Sequence, residues 1–417
     1  MGEPIAITGA GCVSPLGETL VATRDQYMAG VHAVRGLTEE EFADLPVRLG
    51  ARCACQIDTF FAPHISRRLD RCTQLSLLAA DQAWNSQSHG QHDCARRGVV
   101  FSSGIGGVSS LIEQLQILEQ RGPSKVSPYT VGMLMANAPA AQLSLTYNAS
   151  GWLETPVAAC SGGAEAIARG VSLLRSGEID VVIAGGAEAI LNRFGIAAFA
   201  AMQALSTTND HPEQACRPFD QDRNGFVMAE GAGVVVLERL HDAEQRGATI
   251  QGIIRGIGCT ADAHDIVRPR ADGLQASRAM AQALDDAGIG PEQLQLVKAH
   301  ATGTLAGDLA EAEALNLIFG ELSNRSRPWL IAPKAVMGHL ISASGPVELL
   351  LALHSLQLQA IPAQANCPRP EPLLPLRIPQ QQEPLLQHDN QRRAALINSI
   401  GFGGRNVCLV IEAAPPP

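Results

Sequence analysis

The chain has 417 residues, enough for one to three domains, and sets 31 Lys and Arg against 41 Asp and Glu for a formal net charge of −10. That balance excludes the basic surface of a general nucleic-acid binder, and 4% aromatic residues leave few platforms for stacking bases. An apolar share of 46% beside 17% charged residues implies a large buried core, while 40 Gly and 25 Pro imply many tight turns.

The opening MGEPIAITGAGCVSPLG has no basic region ahead of an apolar core, so no secretory leader is expected and the cytoplasm is the expected location. Ile5–Thr8 predicts the first strand. The GAGCVS that continues it lacks the third Gly and the downstream acidic residue of a dinucleotide fingerprint. Val99–Ser102 predicts the next strand, with GIGG at 104–107 as a tight turn behind it. Within Ser161–Ser176, residues Ala164, Ile167, Ala168, Val171 and Leu174 share one helical face, and Gly177 is a stop signal. The apolar stretch 181–205 is interrupted by Glu188, Asn192 and Arg193 and cannot span a bilayer, so no membrane association is expected.

Further strands are predicted at Val181–Ala184, Val234–Leu237, Ile253–Gly256, Leu296–Ala299, Leu396–Ser399 and Val407–Ile411. Continuous apolar strands alternating with helices indicate an α/β chain with buried sheets. IAITGAGC near the start and IIRGIGCT at 253–260 hint at a duplicated unit. A charged stretch at 241–251 is the expected seam, giving halves of 1–250 and 251–417 that act together. Residues 363–389, rich in Pro, Gln and Leu, read as a surface excursion. The ten Cys are scattered. Cys53 and Cys55 form the one close pair, with no zinc-finger spacing around it. No metal site is expected, and the cysteines read as buried apolar residues of a reduced compartment.

Cys160 stands out because it lies between an apolar lead-in, TPVAA, and SGGAEAIARG, which opens the helix. A thiol at a helix start is favoured as thiolate, and its small neighbours let a carbonyl approach. His300 ends the run LQLVKAH, and His339 lies in PKAVMGHLISASG five residues after Lys334. Two His at Gly/Ala/Ser-rich turns with a Cys at a helix start suit a nucleophile with polarising groups, although each alone is most often structural. Thr302 and Thr304 could bond an extended substrate arm. Asp308 and Glu311 at the following helix start have capping as their simplest role. NSIGFGGRN at 398–406 is either a plain hairpin turn or a source of backbone N–H groups for an oxyanion hole.

Taken together, AACSGGAEAI around Cys160, AHATGT around His300 and PKAVMGHL around Lys334 and His339 resemble the β-ketoacyl-acyl carrier protein synthases of the elongating Cys-His-His type. ITGAGCVSPLG, SSGIGG, SPY, ALSTTND, RPFDQDRNGFVMAEGAGVVVLE and GFGGRN extend the resemblance over the whole chain. The resemblance implies the thiolase fold, a duplicated five-layer αβαβα sandwich, and a decarboxylative Claisen condensation in fatty-acid or polyketide synthesis. It gives Cys160 as the acyl-accepting nucleophile and His300 and His339 as donors to the thioester oxygen. The backbone N–H groups of Cys160 and Phe402 become the oxyanion hole, with Phe402 also a gate. Lys334 and Glu311 are implied as a buried supporting pair, Asp308 as a further support, and Thr302 and Thr304 as contacts of the pantetheine arm. No cofactor is implied beyond the phosphopantetheine that carries the substrates.

Relatives separate on the same residues. A degradative thiolase would carry a second Cys where Phe402 stands, an initiating synthase Asn in place of His339, and a non-catalytic chain-length factor no Cys160. A passive partner subunit and a Cys hydrolase are the alternatives. Ala158, Ala301, Pro333, Ile400 and Arg405 depart from the family pattern around the pocket and favour a specialised role, in a homodimer or in a heterodimer with a chain-length factor. An acidic carrier protein needs local positive charge on an acidic enzyme. Arg67, Arg68, Arg71 and Lys125 are the expected docking residues, with ordinary solvated charge as the alternative.

Overall fold

All eight apolar runs form strands, because β-branched and aliphatic residues with both faces covered suit the interior of a sheet. The computed structural model describes residues 2–414 apart from 54, 56, 88, 90–91 and 386–392. Its main sheet holds β1 (Ile5–Val13), β2 (Arg97–Ser102), β3 (Trp152–Glu154), β4 (Val181–Glu188) and β5 (Gly231–Arg239). The second half supplies β6 (Gly252–Ala261), β7 (Leu296–Lys298), β8 (Trp329–Ile331), β9 (Ala394–Gly401) and β10 (Arg405–Ala413).

The strand order is β8-β7-β9-β10-β6-β1-β5-β4-β2-β3. Outward from the centre the halves are identical: β1, β5, β4, β2, β3 on one side and β6, β10, β9, β7, β8 on the other. In each, the two inner junctions are antiparallel and the two outer ones parallel. They join where Ile5–Ile7 pairs antiparallel with Gly252–Ile254. The echo in the sequence has a packing cause. A Cβ on Gly9 or Gly11 of β1 would strike the carbonyls of Ala83 and Ala79, and one on Gly256 or Gly258 of β6 those of Ala283 and Ala279. These glycines let a helix lie close on a sheet; none of them cradles a nucleotide.

Those outer helices are α1 (Arg71–Trp84) and α5 (Leu274–Ala287). Beside them run α2 (Val108–Arg121), α3 (Ala138–Tyr147) and α6 (Leu305–Phe319), while α4 (Gly162–Arg175) and α7 (Ser344–Leu358) fill the centre. The apolar residues divide accordingly into three clusters. One lies under α1 and α3 (Leu75, Val99, Phe101, Leu143), one around α4 and α7 between the two halves of the sheet (Val100, Ile167, Leu350, Ile397) and one under α5 and α6 (Met280, Leu315, Leu396, Val410). Val99 and Phe101 face outward and Val100 inward, the period-two alternation of a strand with both faces covered. The five layers are those of the thiolase fold.

The two strands of the main sheet with no signal in the sequence, β3 and β8, are three residues long and occupy the same outer edge of each half. The edges differ. The 363–385 segment lies along β8, where Leu330 N–H donates to the Arg377 carbonyl at 2.8 Å and the Arg377 guanidinium sits 4.2 Å from the Trp329 ring centre. Among the described residues no strand pairs along the outer side of β3, and Leu153 on it and Val157 just past it stand exposed. All ten cysteines are free thiols and seven are buried. Among the described residues no helix is long and apolar enough to cross a membrane.

Candidate active site

Cys160 sits in a single 3-10 turn, Ala159–Ser161, that feeds directly into α4. Ala159 is forced to φ 47°, left-handed and strained for a residue with a side chain. Its neighbours hold it there. The Ala158 carbonyl accepts from Ser161 N–H at 3.1 Å and Ser161 Oγ at 2.9 Å, and the Ala159 carbonyl accepts from Ser342 Oγ at 3.0 Å. Gly163 is required because a Cβ would strike the Ser342 carbonyl. The expected thiolate is not the resting state. Burial pushes the Cys160 thiol up to about 12, against the opposing charge of Lys334 and the N–H of Phe402. Desolvation of the buried sulfur outweighs both.

His300 lies just past β7 in a backbone held from both sides. The N–H groups of His300 and Ala301 each donate to Glu311 at 2.7 Å, and the His300 carbonyl accepts from Lys334 Nζ at 2.6 Å. That grip sustains Ala301 at φ 33°, a conformation usually left to Gly. His339 is pinned to a neighbouring segment: its N–H donates to the Val227 carbonyl at 2.7 Å, and its carbonyl accepts from Ala229 N–H at 2.9 Å. The two imidazole rings lie 5.6 Å apart, edge to face at 83°. Ser344 Oγ accepts from Leu340 N–H at 3.0 Å and is 2.9 Å from His339 Nδ1, so its own proton is free for Nδ1. This tautomer leaves Nε2–H as the donor, and Nε2 is buried without a protein partner. Burial, reinforced by the Lys334 charge, holds both rings well below the usual imidazole range.

The supporting pair is not the expected one. Lys334 pairs with Glu348, Nζ lying 2.7 Å from Oε1 and 2.9 Å from Oε2. Glu311 instead secures the His300 loop and accepts from Asn398 Nδ2 at 3.1 Å. Asp308 accepts from Phe219 N–H at 2.7 Å and Gly303 N–H at 3.0 Å, and burial raises its carboxyl to about 7. Neither acid caps its own helix, because each faces inward onto a loop rather than back onto the helix start. Glu348 was missed although GPVELLLAL carries a signal, a single acid inside an apolar helix. Lys298 was missed likewise, as the one charge in LQLVKAH.

A cavity of about 310 Å³ gathers Cys160, His300, His339, Thr302, Thr304 and Phe402 along its lining. Thr302 and Thr304 face each other, with hydroxyls 3.1 Å apart. Phe402 belongs to the turn of the β9–β10 hairpin, so that Gly-rich segment is a hairpin turn whose tip lines the cavity. The unusual Arg405 at its end forms a double contact with Glu165 of α4 at 2.5 and 2.6 Å, tying this turn to the Cys160 helix. None of the expected docking residues lines the cavity. Arg67, Arg68 and Lys125 are exposed, whereas Arg71 is committed to Glu230 at 2.5 and 2.8 Å. The cavity has another exposed cation in its lining, Arg268, which the sequence reading passed over.

The family model for the N-terminal domain of β-ketoacyl synthases matches residues 2–243, and that for the C-terminal domain matches 251–368. The chain belongs to the β-ketoacyl synthase family. It is 36% identical over 411 residues to a 3-oxoacyl-[acyl-carrier-protein] synthase 2 of Staphylococcus aureus (strain N315), covering 98% of each chain. Among solved structures, a β-ketoacyl synthase from Burkholderia phymatum STM815 superposes with a TM-score of 0.88 at 28% identity, covering 100% of each chain. The ishigamide ketosynthase/chain length factor gives 0.87 at 25% identity, again covering 100% of each chain. This ketosynthase is thus a condensing enzyme of the acyltransferase class, with its whole length within the family pattern.

Proposed function

We propose that Cys160, His300 and His339 carry out the two half-reactions of a β-ketoacyl-acyl carrier protein synthase, with 1–250 and 251–417 acting as one unit. In the first, Cys160 Sγ gives up its proton and attacks the carbonyl of an acyl thioester. The carrier's C–S bond breaks, and the released thiol takes the proton. In the second, a malonyl thioester enters, its C–C bond to the carboxylate breaks, and CO2 leaves. The electron pair moves onto the thioester oxygen, where Nε2–H of His300 and of His339 donate to the developing charge. The enolate carbon then attacks the Cys160 thioester. The N–H groups of Cys160 and Phe402 hold the tetrahedral oxygen until the C–S bond breaks; the Cys160 thiolate takes a proton from water to restore the thiol, and a β-ketoacyl thioester remains on the carrier.

The observation that carries this reading is His339 Nε2, a buried N–H with no protein partner on a residue lining the same cavity as Cys160 and His300. A buried donor left open is costly unless a ligand uses it. The substrates arrive on phosphopantetheine threaded past Thr302 and Thr304, with no other cofactor. The acidic carrier protein docks through Arg67, Arg68 and Lys125 together with Arg268 at the cavity, without Arg71. The expected setting is the cytoplasm, in a fatty-acid or polyketide pathway.

The ketosynthase works as a homodimer or beside a chain-length-factor-like subunit, through the open β3 edge. An uncovered edge strand invites pairing, and α2 adds exposed Leu111, Leu115 and Leu118. Leu153→Asp should release monomers in sedimentation; unchanged association would place the interface elsewhere. The reaction is tested by incubating the protein with acyl- and malonyl-carrier protein. An acyl adduct on Cys160 and a product two carbons longer are expected. Free acid released without malonyl-carrier protein would instead mark a hydrolase, and no adduct at all a passive subunit.

A further inference from the structure

Lys298 ends β7, two residues before His300, with its side chain fully buried. Its Nζ donates to Glu348 Oε2 at 2.9 Å and to the Asn398 carbonyl. Glu348 already has a partner in Lys334, so two buried ammonium groups share one carboxylate. Such an excess is unfavourable for folding, since a second buried cation is desolvated without a counter-ion of its own. An apolar residue would fill this place on the strand at lower cost, and Lys334 would keep its pair without Lys298.

The surrounding groups show where the extra charge acts. Burial pulls the Lys298 ammonium below the usual lysine range, with Lys334 from the turn before His339 adding to that, while Glu348 from α7 and Glu311 from α6 work to keep it charged; Cys408 from β10 and the two imidazoles lie within reach of that charge. Glu311 is spent on the N–H groups of His300 and Ala301 and on Asn398 Nδ2. Asn398 lies on β9, which runs on to the Phe402 turn. Lys298 therefore joins the carboxylate beneath the His300 loop to the strand that supports the oxyanion turn. Both histidines feel its positive charge as well as that of Lys334.

We propose that Lys298 is a positioning residue for the decarboxylation step, bracing Glu348 against β9 and placing a second positive charge behind His300 and His339. An uncharged imidazole can donate Nε2–H to the thioester oxygen without forming an ion pair with the malonyl carboxylate that must leave, so the help falls on the transition state rather than on the bound substrate. This inference rests on the condensation reading above.

Lys298→Met keeps the length of the side chain and removes its charge, and Lys298→Gln keeps a donor without the charge. Decarboxylation of malonyl-carrier protein is followed from pH 5 to 8, with Cys160 acylation measured in parallel by mass spectrometry. Both variants should acylate within about threefold of the wild type. The acid limb of decarboxylation should rise by about one pH unit, a loss of roughly tenfold on that limb. In Lys298→Gln the rate above the limb should recover in part while the limb stays displaced. A wild-type profile in either variant that folds overturns the proposal, as does an equal loss of acylation and decarboxylation at every pH, which would mark a structural role alone. If the wild type itself yields no elongated product, the condensation reading has failed. If it elongates and the variants keep its profile, this inference alone has failed.

Discussion

The turn that presents Cys160 has a counterpart in the second half of the ketosynthase. Ala159–Ser161 feeds α4, and Ile341–Ala343 feeds α7. Each is one 3-10 turn begun by a left-handed residue, Ala159 at φ 47° and Ile341 at φ 50°. Register along the two turns sets Ser342 opposite Cys160. Their side chains do different work: Cys160 lines the cavity, whereas Ser342 Oγ donates to the Ala159 carbonyl. The second copy thus braces the strained elbow of the first. The sheet edges diverge in the same manner, β8 covered by the 363–385 segment and β3 left open. A duplicated scaffold supplies equal geometry twice, and of the residues at equivalent points one lines the cavity while the other supports its neighbour.

The largest effect separates the two turns outright. Cys160→Ala should cut condensation by roughly 10⁴-fold or more, and intact-mass measurement should find no acyl group transferred to Ser342. An adduct on Ser342 would mean that the two turns are interchangeable. Next, His339→Ala removes one of the two donors proposed for the developing enolate. Decarboxylation should fall by roughly 10²–10³-fold while Cys160 acylation persists. Parallel loss of both steps would place His339 in acyl transfer instead.

The pH dependence follows from the depressed histidines and the raised thiol. Because burial holds His300 and His339 well below 6.5, the unfolded chain takes up protons first as pH falls. Their contribution to stability is complete above pH 6.5 and declines below it. The acid limb of decarboxylation should therefore lie below pH 6.5, and melting temperature should drop between pH 6.5 and 5. A limb above 6.5 would contradict the burial of the pair. Alkylation of Cys160 by iodoacetamide should keep accelerating past pH 9, as a thiol near 12 requires; a plateau at pH 8 would show that the helix end prevails over burial.

The smallest effect probes the brace. Ser342→Ala removes the bond to the Ala159 carbonyl and a contact with the buried Glu188 carboxyl, about 1–2 kcal/mol of stability, and should slow acylation of Cys160 only a few-fold. A change below detection in both would show that the Ala159 elbow stands without its counterpart.

Much of this was legible in the amino-acid order because it is local. Strands buried on both faces must be apolar throughout, so eight of them announced themselves, while β3 and β8 were too short to show a pattern. Cys160, His300, His339, Thr302, Thr304 and Phe402 stood out because each lies in a small-residue turn, where a side chain can meet substrate. Partnerships across the molecule were not legible. Nothing near Lys334 in the chain points to Glu348 rather than Glu311, since the choice depends on how α7 passes beneath the His300 loop. Arg71 reads as free for docking in the chain, but Glu230, far along the sequence, holds it in the fold.

By itself, then, the sequence determined eight of the ten strands of the main sheet, the helix that begins beside Cys160 and the residues that stand out in small-residue turns, since periodicity and turn chemistry act over a few positions; of the duplication it carried only an echo. Only the tertiary structure decided which carboxylate meets which cation, which edge stays open and that Cys160 rests as a thiol. Burial and charge pairing depend on segments a hundred or more residues apart, and no local pattern encodes that proximity.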